Sequence, residues 1–395
     1  MPAFALGPAL DLAGMAIAIH PAIHAAADQI ERERRLPPAL LDQLHEARLF
    51  RMLLPRSVGG LESDPLTFFK VVESIARADA SVAWCLSQAG GCAMAAAYLD
   101  APAAHTIFGQ DPQAVLAWGP GPKVRAVQVE GGYRVTGQWN FASGGRHATW
   151  LGAHCPVVRP DGEPLTHADG RRVERTMLVP AGAVTWTDVW ETVGLRGTAS
   201  DQFALTNHFV PAAHSITRDF EQECREPGPL YRLSANACYQ VGFAGVALGV
   251  ARSALDIFIE LARDKVPRGQ RGALRDNAVV QSGLAQAEVG VRAARALLLE
   301  TVGEIWQAIS EPGARFTREH RMALRMASTH SIHQARAAVD VVYNAAGATA
   351  IFHTHPLERR FRDIHTVTQQ VQGRLSHFET VGAWMLGADA DFTFV

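Results

Sequence analysis

Four segments of the chain gather side chains able to hold or transform a ligand. Trp139-Asn-Phe-Ala-Ser-Gly-Gly-Arg-His147 stands at the end of an expected strand. There Phe141 could flank a planar ring, the Ser143 hydroxyl could bond a ring nitrogen, and Gly144-Gly145 would let backbone approach closely. An ordinary turn has the same composition. Trp190-Glu-Thr-Val-Gly-Leu-Arg-Gly-Thr-Ala-Ser-Asp201 sets Arg196, Thr198 and Ser200 among glycines. Such a set could receive a phosphate or the polar edge of a ring, or simply connect two strands.

The third segment, Arg263-Asp-Lys-Val-Pro-Arg-Gly-Gln-Arg271, places Arg268 in a basic cluster after a helix, suited to gripping a phosphate or to lying solvated. The fourth runs from Asn344 to His365 and combines a small-residue helix end, His353-Thr-His355 and the pair Arg362-Asp363. Metal binding by the two histidines lacks a third ligand at recognisable spacing, and an Arg-Asp pair is commonly a structural salt bridge. Gly119-Pro-Gly121 has neither the third glycine nor the βαβ context of a dinucleotide fold. No Walker loop, GxSxG elbow or HExxH is present.

Those segments need elements to position them. From Ala16 to about Phe108 the pattern is helical: Phe68, Val71, Val72 and Ile75 repeat at i, i+3, i+4, i+7, and Pro37-Pro38 marks a helix start. The small-residue run Ala89 to Ala97 suits close approach to a neighbouring helix or a flat ligand. At about residue 113 the period changes to alternation, with Gly131-Gly132 as a two-residue hairpin turn, and expected strands follow at 150–157, 176–179, 184–189 and 203–210. After Pro229 long helices are expected near 232–264, 277–310, 317–347 and 366–387. The chain is thus mainly α with a central β-domain, divided as 1–112, 113–228 and 229–395.

Composition narrows the function. With 37 basic and 39 acidic residues the formal charge is −2, so no broad field favours nucleic acid, and a small ligand fits better. Five cysteines without a CxxC pair argue against a disulfide framework and point to a reducing cytoplasm. Met1 to Ile30 lacks a basic n-region and reads as an amphipathic helix rather than a leader. No window offers the ~20 uninterrupted apolar residues of a membrane span.

Taken in order, the helical block, the β-block opening after Trp118, Phe-Ala-Ser-Gly, Gly-Leu-Arg-Gly-Thr-x-Ser, the long helices and Pro-Leu-Glu-Arg-x-Phe-Arg-Asp resemble the acyl-CoA dehydrogenase fold superfamily over nearly the whole chain. Phe141-Ala-Ser-Gly144, Gly194-Leu-Arg-Gly-Thr198 and His355-Pro-Leu357 are similar to its flavin-dependent monooxygenase branch. That branch includes oxygenase components that hydroxylate phenols such as 4-hydroxyphenylacetate. The resemblance implies an N-terminal helical domain, a middle β-barrel or sandwich and a C-terminal four-helix bundle. It implies a reduced flavin, FMN or FAD, between the β-domain and the bundle. Phe141 and Ser143 match ring-contacting positions, Trp118 would line the cleft, and Gly144, Arg196, Thr198 and Ser200 would surround the cofactor. Arg268 would reach the flavin phosphates across a homotetramer interface, with Arg263 and Arg271 as alternatives.

The dehydrogenases of this superfamily carry a glutamate base about nine residues after an Arg-Asp pair. The stretch Arg362 to Gly373 contains no Glu, and an amide cannot serve as that base at neutral pH. The monooxygenases place a histidine there, and this sequence departs from that pattern too, because Gln370 fills the slot, flanked by His365 and His377. Ser143, His365 and Gln370 are therefore the candidate catalytic residues. The expected activity is that of the oxygenase component of a two-component system. A separate NAD(P)H-dependent reductase would supply reduced flavin, dioxygen would add to give a C4a-hydroperoxide, and an aromatic or related small molecule would be hydroxylated. The alternatives are desaturation of a thioester with a base supplied elsewhere, and a noncatalytic helical ligand-binding scaffold.

Overall fold

The computed structural model describes residues 10–217, 223–390 and 392. Residues 1–9 of the expected N-terminal helix lie outside the described residues. Helix α1 (Leu12–Glu33) begins where the Asp11 carboxylate accepts the Gly14 N–H, and it buries Ala16, Ile19, Ile23 and Ile30 on one face. After α2 (Pro38–Glu46), helix α3 (Pro65–Ala78) has Asp64 as its N-cap and Pro65 in its first turn. Asp79 both ends α3 and caps α4 (Ala80–Ala93), its carboxylate accepting from the Ser81 and Val82 N–H groups. Helix α5 is a single turn, Ala101–Ala104.

The β-domain comprises β1 (Leu116–Gly119), β2 (Arg125–Val129), β3 (Gly132–Trp139), β4 (Trp150–Val158), β5 (Glu174–Pro180), β6 (Thr185–Thr187), β7 (Gln202–Pro211) and β8 (Ser215–Ile216). Their order is β6-β7-β3-β2-β4-β5-β8, with β1 also on β4. Strand β4 joins the two antiparallel sets, since its first half pairs with β1 and its last residues with β2, both in parallel. Trp139 and Phe203 stack at 5.1 Å in the core between them.

The hairpin turn sits one residue earlier than the sequence suggested. Val129 pairs with Gly132, so Glu130-Gly131 form the loop, with Gly131 at φ +76°. Gly132 belongs to the strand, where a Cβ would lie 2.1 Å from the Val210 carbonyl oxygen of β7.

The C-terminal bundle is α6 (Ala235–Asp264), α7 (Ala278–Ser310), α8 (Arg318–Ala346), α9 (Pro356–Val367) and α10 (Ser376–Met385). Helix α6 lies at its centre against α3, α4, α8 and α9. The single helix expected at 366–387 is instead two helices joined by a turn. Here the Gln370 side-chain oxygen takes the Gln372 N–H, replacing an i−4 backbone bond and ending helical propagation.

Candidate active site

The β-domain, α4, α6 and the turn after α9 converge on one set of polar and aromatic side chains. Ser143 follows β3, Thr198 and Ser200 precede β7, and Trp84 lies midway along α4. The Trp84 indole N–H donates to Ser143 Oγ at 3.0 Å. Ser143 and Ser200 hydroxyls pair at 2.6 Å, Ser200 and Thr198 at 2.7 Å, and Thr198 donates to the Leu195 carbonyl at 2.9 Å. All four side chains are buried, so water does not compete for these bonds. The sequence leaves Thr198 and Ser200 able to receive a phosphate or the polar edge of a ring, or to lie in a simple connection. Their hydroxyls are instead consumed by this chain.

The backbone around the chain is tied down on every side. The Gly144 N–H donates to the Thr198 carbonyl at 2.8 Å, joining the two segments that the sequence singled out separately. Asp201 accepts from Arg146 at 2.7 Å and from the Val189 and Trp190 N–H groups, holding the 189–201 loop over the end of β3. Phe141 is 60% exposed at φ +58°, edge-on to Trp190 at 6.1 Å, so its ring is presented outward instead of entering the core. Arg196 is half-buried, and its Nε has no hydrogen-bond partner.

Three rings stack beside Ser143: Trp84 on Phe243 at 4.0 Å, and Phe243 on Tyr239 at 5.6 Å and 6°. Helix α4 approaches α6 closely enough for this only because position 91 is glycine, where a Cβ would lie 2.2 Å from the Tyr239 ring. Gln88 donates to the Trp118 carbonyl and to the Tyr239 hydroxyl, and that hydroxyl also meets Cys92 at 3.3 Å. Trp118 itself is buried in β1, edge-on to His154. On α6 the residues Asn236, Tyr239, Gln240 and Phe243 fall at i, i+3, i+4, i+7, so they share a face. Gln372 donates to Asn236 at 2.5 Å, bringing the turn after α9 to the same face.

The remaining candidates separate. Gln370 caps its own turn through Oε1, and its Nε2 is buried without a partner. His365 turns toward α8, 2.8 Å from Asp340 and packed on Phe361. His377 is buried against Thr329 at 2.9 Å, and burial with nearby Arg325 and Arg374 pushes it down to about 4. It is therefore neutral at pH 7. Arg268 is exposed in the loop after α6, whose last residue Asp264 lies about 32 Å along the helix from Phe243. His353 meets Glu358 and His355 caps α9, so the two imidazoles are engaged separately.

Arg362 and Asp363 do not pair with each other. Arg362 bridges Glu358 at 2.6 Å and Glu31 at 2.9 Å, while Asp363 accepts the Leu195 N–H at 2.7 Å. Asp363 thus holds the Gly194–Thr198 segment against α9. A cavity of about 1080 Å3 opens elsewhere, between α1, α3, α6 and α7. Its walls are joined by ion pairs such as Arg252–Glu288 and Arg295–Glu73, and none of the hydroxyl chain lines it. Volume is a poorer guide here than convergent chemistry.

Trp84, Asn236, Tyr239, Gln240, Phe243 and Gln372 were not picked out from sequence. The legible signal was the polar and aromatic stripe at helical spacing in the otherwise apolar start of α6. A planar, polar-edged cofactor suits this arrangement. Gln240 Oε1, Gln370 Nε2 and Gln372 Oε1 are buried polar atoms without a hydrogen-bond partner, and stacked rings and a hydroxyl chain stand beside them. Flavin offers both donors and acceptors along such an edge.

The family model described as the acyl-CoA dehydrogenase N-terminal domain matches residues 19–101, and that for the C-terminal domain matches residues 241–372. The chain is 28% identical to the indole-3-acetate monooxygenase of Pseudomonas putida, over 91% of this chain and 89% of that protein. It is 28% identical to the oxygenase subunit HsaA, a flavin-dependent monooxygenase of Rhodococcus jostii, over 88% and 91%. The structure of XiaF from Streptomyces in complex with FADH2 superposes with a TM-score of 0.90 at 26% identity, covering 97% of this chain and 96% of that one. The chain therefore belongs to the acyl-CoA dehydrogenase fold superfamily and, within it, to the flavin-dependent monooxygenases.

Proposed function

We propose that this protein is the oxygenase component of a two-component monooxygenase that takes reduced flavin from a separate reductase and hydroxylates an aromatic small molecule. The observation that carries this reading is the Trp84–Ser143–Ser200–Thr198 chain, a run of buried hydroxyls where α4 meets the β-domain beside the Phe243 ring of α6. Reduced flavin, when bound, supplies the two electrons with which dioxygen delivers one oxygen atom to the substrate and the other to water. Ser143 would hold the proton on flavin N5 by accepting from it, and the stacked Trp84, Phe243 and Tyr239 would exclude water. Asn236, Gln240, Gln370 and Gln372 would orient the polar edge of the bound molecules. No carboxylate is supplied by residues 364–373 to remove a carbon-bound proton, which disfavours thioester desaturation.

Homo-oligomerisation accompanies this reading. Ile351, Phe352, Leu375, Met385 and Leu386 of the bundle are individually exposed large apolar side chains, and a tetramer would cover some of them. In such an assembly Arg268 would serve a neighbour's cofactor. The five free cysteines suit a reducing compartment, and a cytoplasmic location is proposed on that basis. The test is direct. Purified protein given chemically reduced FMN or FAD, 18O2 and a panel of phenols and indoles should yield product carrying one labelled oxygen, and should not oxidise NADH without a reductase. Rapid NADH oxidation by the chain alone, or bleaching of bound oxidised flavin by acyl-CoA, would overturn it.

A further inference from the structure

We propose that the Ser143, Ser200 and Thr198 hydroxyls form a one-way hydrogen-bond chain that makes the site select reduced over oxidised flavin. Ser200 and Thr198 are positioning residues that act through Ser143. The inference rests on the reading that Ser143 faces flavin N5. Its basis is the direction of each bond. Thr198 Oγ1 lies 2.9 Å from the Leu195 carbonyl, which only accepts and which the Trp190 indole N–H at 2.9 Å and the Thr198 N–H at 3.2 Å also reach, so the Thr198 proton points there. Ser200 then donates to Thr198 at 2.7 Å, and Ser143 to Ser200 at 2.6 Å. The Trp84 indole only donates, and it takes one lone pair of Ser143 at 3.0 Å. What Ser143 has left is one lone pair and no proton.

Counting bonds gives the selectivity. N5 of reduced flavin carries a hydrogen and adds a fifth bond to the four already present. N5 of oxidised flavin is an acceptor, so it adds none and sets two lone pairs face to face. Reversing the chain lets Ser143 donate to N5, but it withdraws the Thr198 proton from the Leu195 carbonyl, and the total stays at four. Burial of all four side chains prevents water from repairing either arrangement. The site thus favours the reduced form by one net hydrogen bond, about 2- to 13-fold in the ratio of dissociation constants.

Substitution separates direction from mere presence of the hydroxyls. In Ser200→Ala the Ser143 proton is released, and reduced and oxidised flavin each leave three bonds. Thr198→Val gives the same parity from a side chain two hydrogen bonds away from Ser143. Trp84→Phe removes a donor without freeing the Ser143 proton, leaving four bonds against three, so selectivity persists.

The experiment titrates intact wild-type protein and the three variants with FMN and with FAD. Oxidised flavin is followed by fluorescence, and dithionite-reduced flavin by anaerobic ultrafiltration and absorbance. Ser200→Ala and Thr198→Val should lower Kd(oxidised)/Kd(reduced) by about 2- to 13-fold, while Trp84→Phe keeps the ratio within about twofold even where its affinities fall. Far-ultraviolet circular dichroism identifies any variant that fails to fold, and either of the first two suffices to decide. An unchanged ratio in the folded hydroxyl variants, or an equal fall in Trp84→Phe, overturns the proposal. Wild-type protein that binds neither flavin in either form overturns the assignment of the site itself, and this proposal with it.

Discussion

Asp363 should make the stability of this protein fall as pH rises through the neutral range, and Asp363→Asn should remove that dependence. The carboxyl is fully buried where α9 meets the Gly194–Thr198 segment. Desolvation, with Asp79 and Glu31 nearby, pushes it from 3.8 up to about 7, against the opposing Leu195 N–H and Arg362. A raised carboxyl binds its proton more tightly in the folded state. Its contribution is therefore fully present below pH 3.8 and is lost as pH climbs through 7. Over the whole window the difference is on the order of 4 kcal/mol, of which about 2.6 kcal/mol falls between pH 5 and pH 8. With an unfolding entropy of about 2.1 cal/mol/K per residue over 395 residues, that corresponds to about 3 °C in Tm. Asparagine keeps an oxygen for the Leu195 N–H at 2.7 Å and has no charge to bury. Differential scanning fluorimetry of both proteins from pH 5 to pH 8 should show the variant gaining about 3 °C on the wild type across that range. A Tm difference that stays constant with pH would refute the reasoning, since it would mean that Asp363 does not change protonation there.

Ser143→Ala should lower coupling, raising the hydrogen peroxide formed per reduced flavin consumed by up to about tenfold, because N5–H loses its acceptor. Unaltered coupling in an oxygen-electrode and peroxide assay would reduce Ser143 to a turn residue. Asp201→Ala leaves Arg146 and the Val189 and Trp190 N–H groups without their acceptor, and should cost about 3–5 kcal/mol in urea unfolding. A loss below about 1 kcal/mol would show that the 189–201 loop is held by other contacts. Arg268→Ala should weaken FMN or FAD binding by roughly tenfold or more without lowering Tm, as a lost charged hydrogen bond predicts. Unchanged affinity by equilibrium dialysis would assign the phosphate contact elsewhere in the loop.

Much of this protein is legible residue by residue. Caps such as Asp64 and Asp79, the i, i+3, i+4, i+7 face of Phe68 to Ile75, and the alternation on either side of Gly131 act within a few residues of themselves. Hence three helical and β blocks, and the segments around Ser143 and Thr198, can be read directly. The missing glutamate after Arg362 is likewise a statement about residue type alone.

The tertiary structure decided how those segments meet. Ser143 bonds Trp84 across 59 residues and Ser200 across 57, and Asp363 reaches Leu195 across 168. No local pattern encodes those separations. The sequence leaves Trp84 unmarked, Thr198 and Ser200 able to receive a phosphate or the polar edge of a ring, and Arg362-Asp363 as partners to each other. Each took a different role because a hydrogen bond is satisfied only within about 3 Å and along a narrow angle, so its partner is chosen by packing of whole domains. Hydrophobic periodicity depends on averages over a helix or strand and survives that packing unchanged. The direction in which Ser143 turns its proton depends on four single atoms, and only the folded chain brings those together.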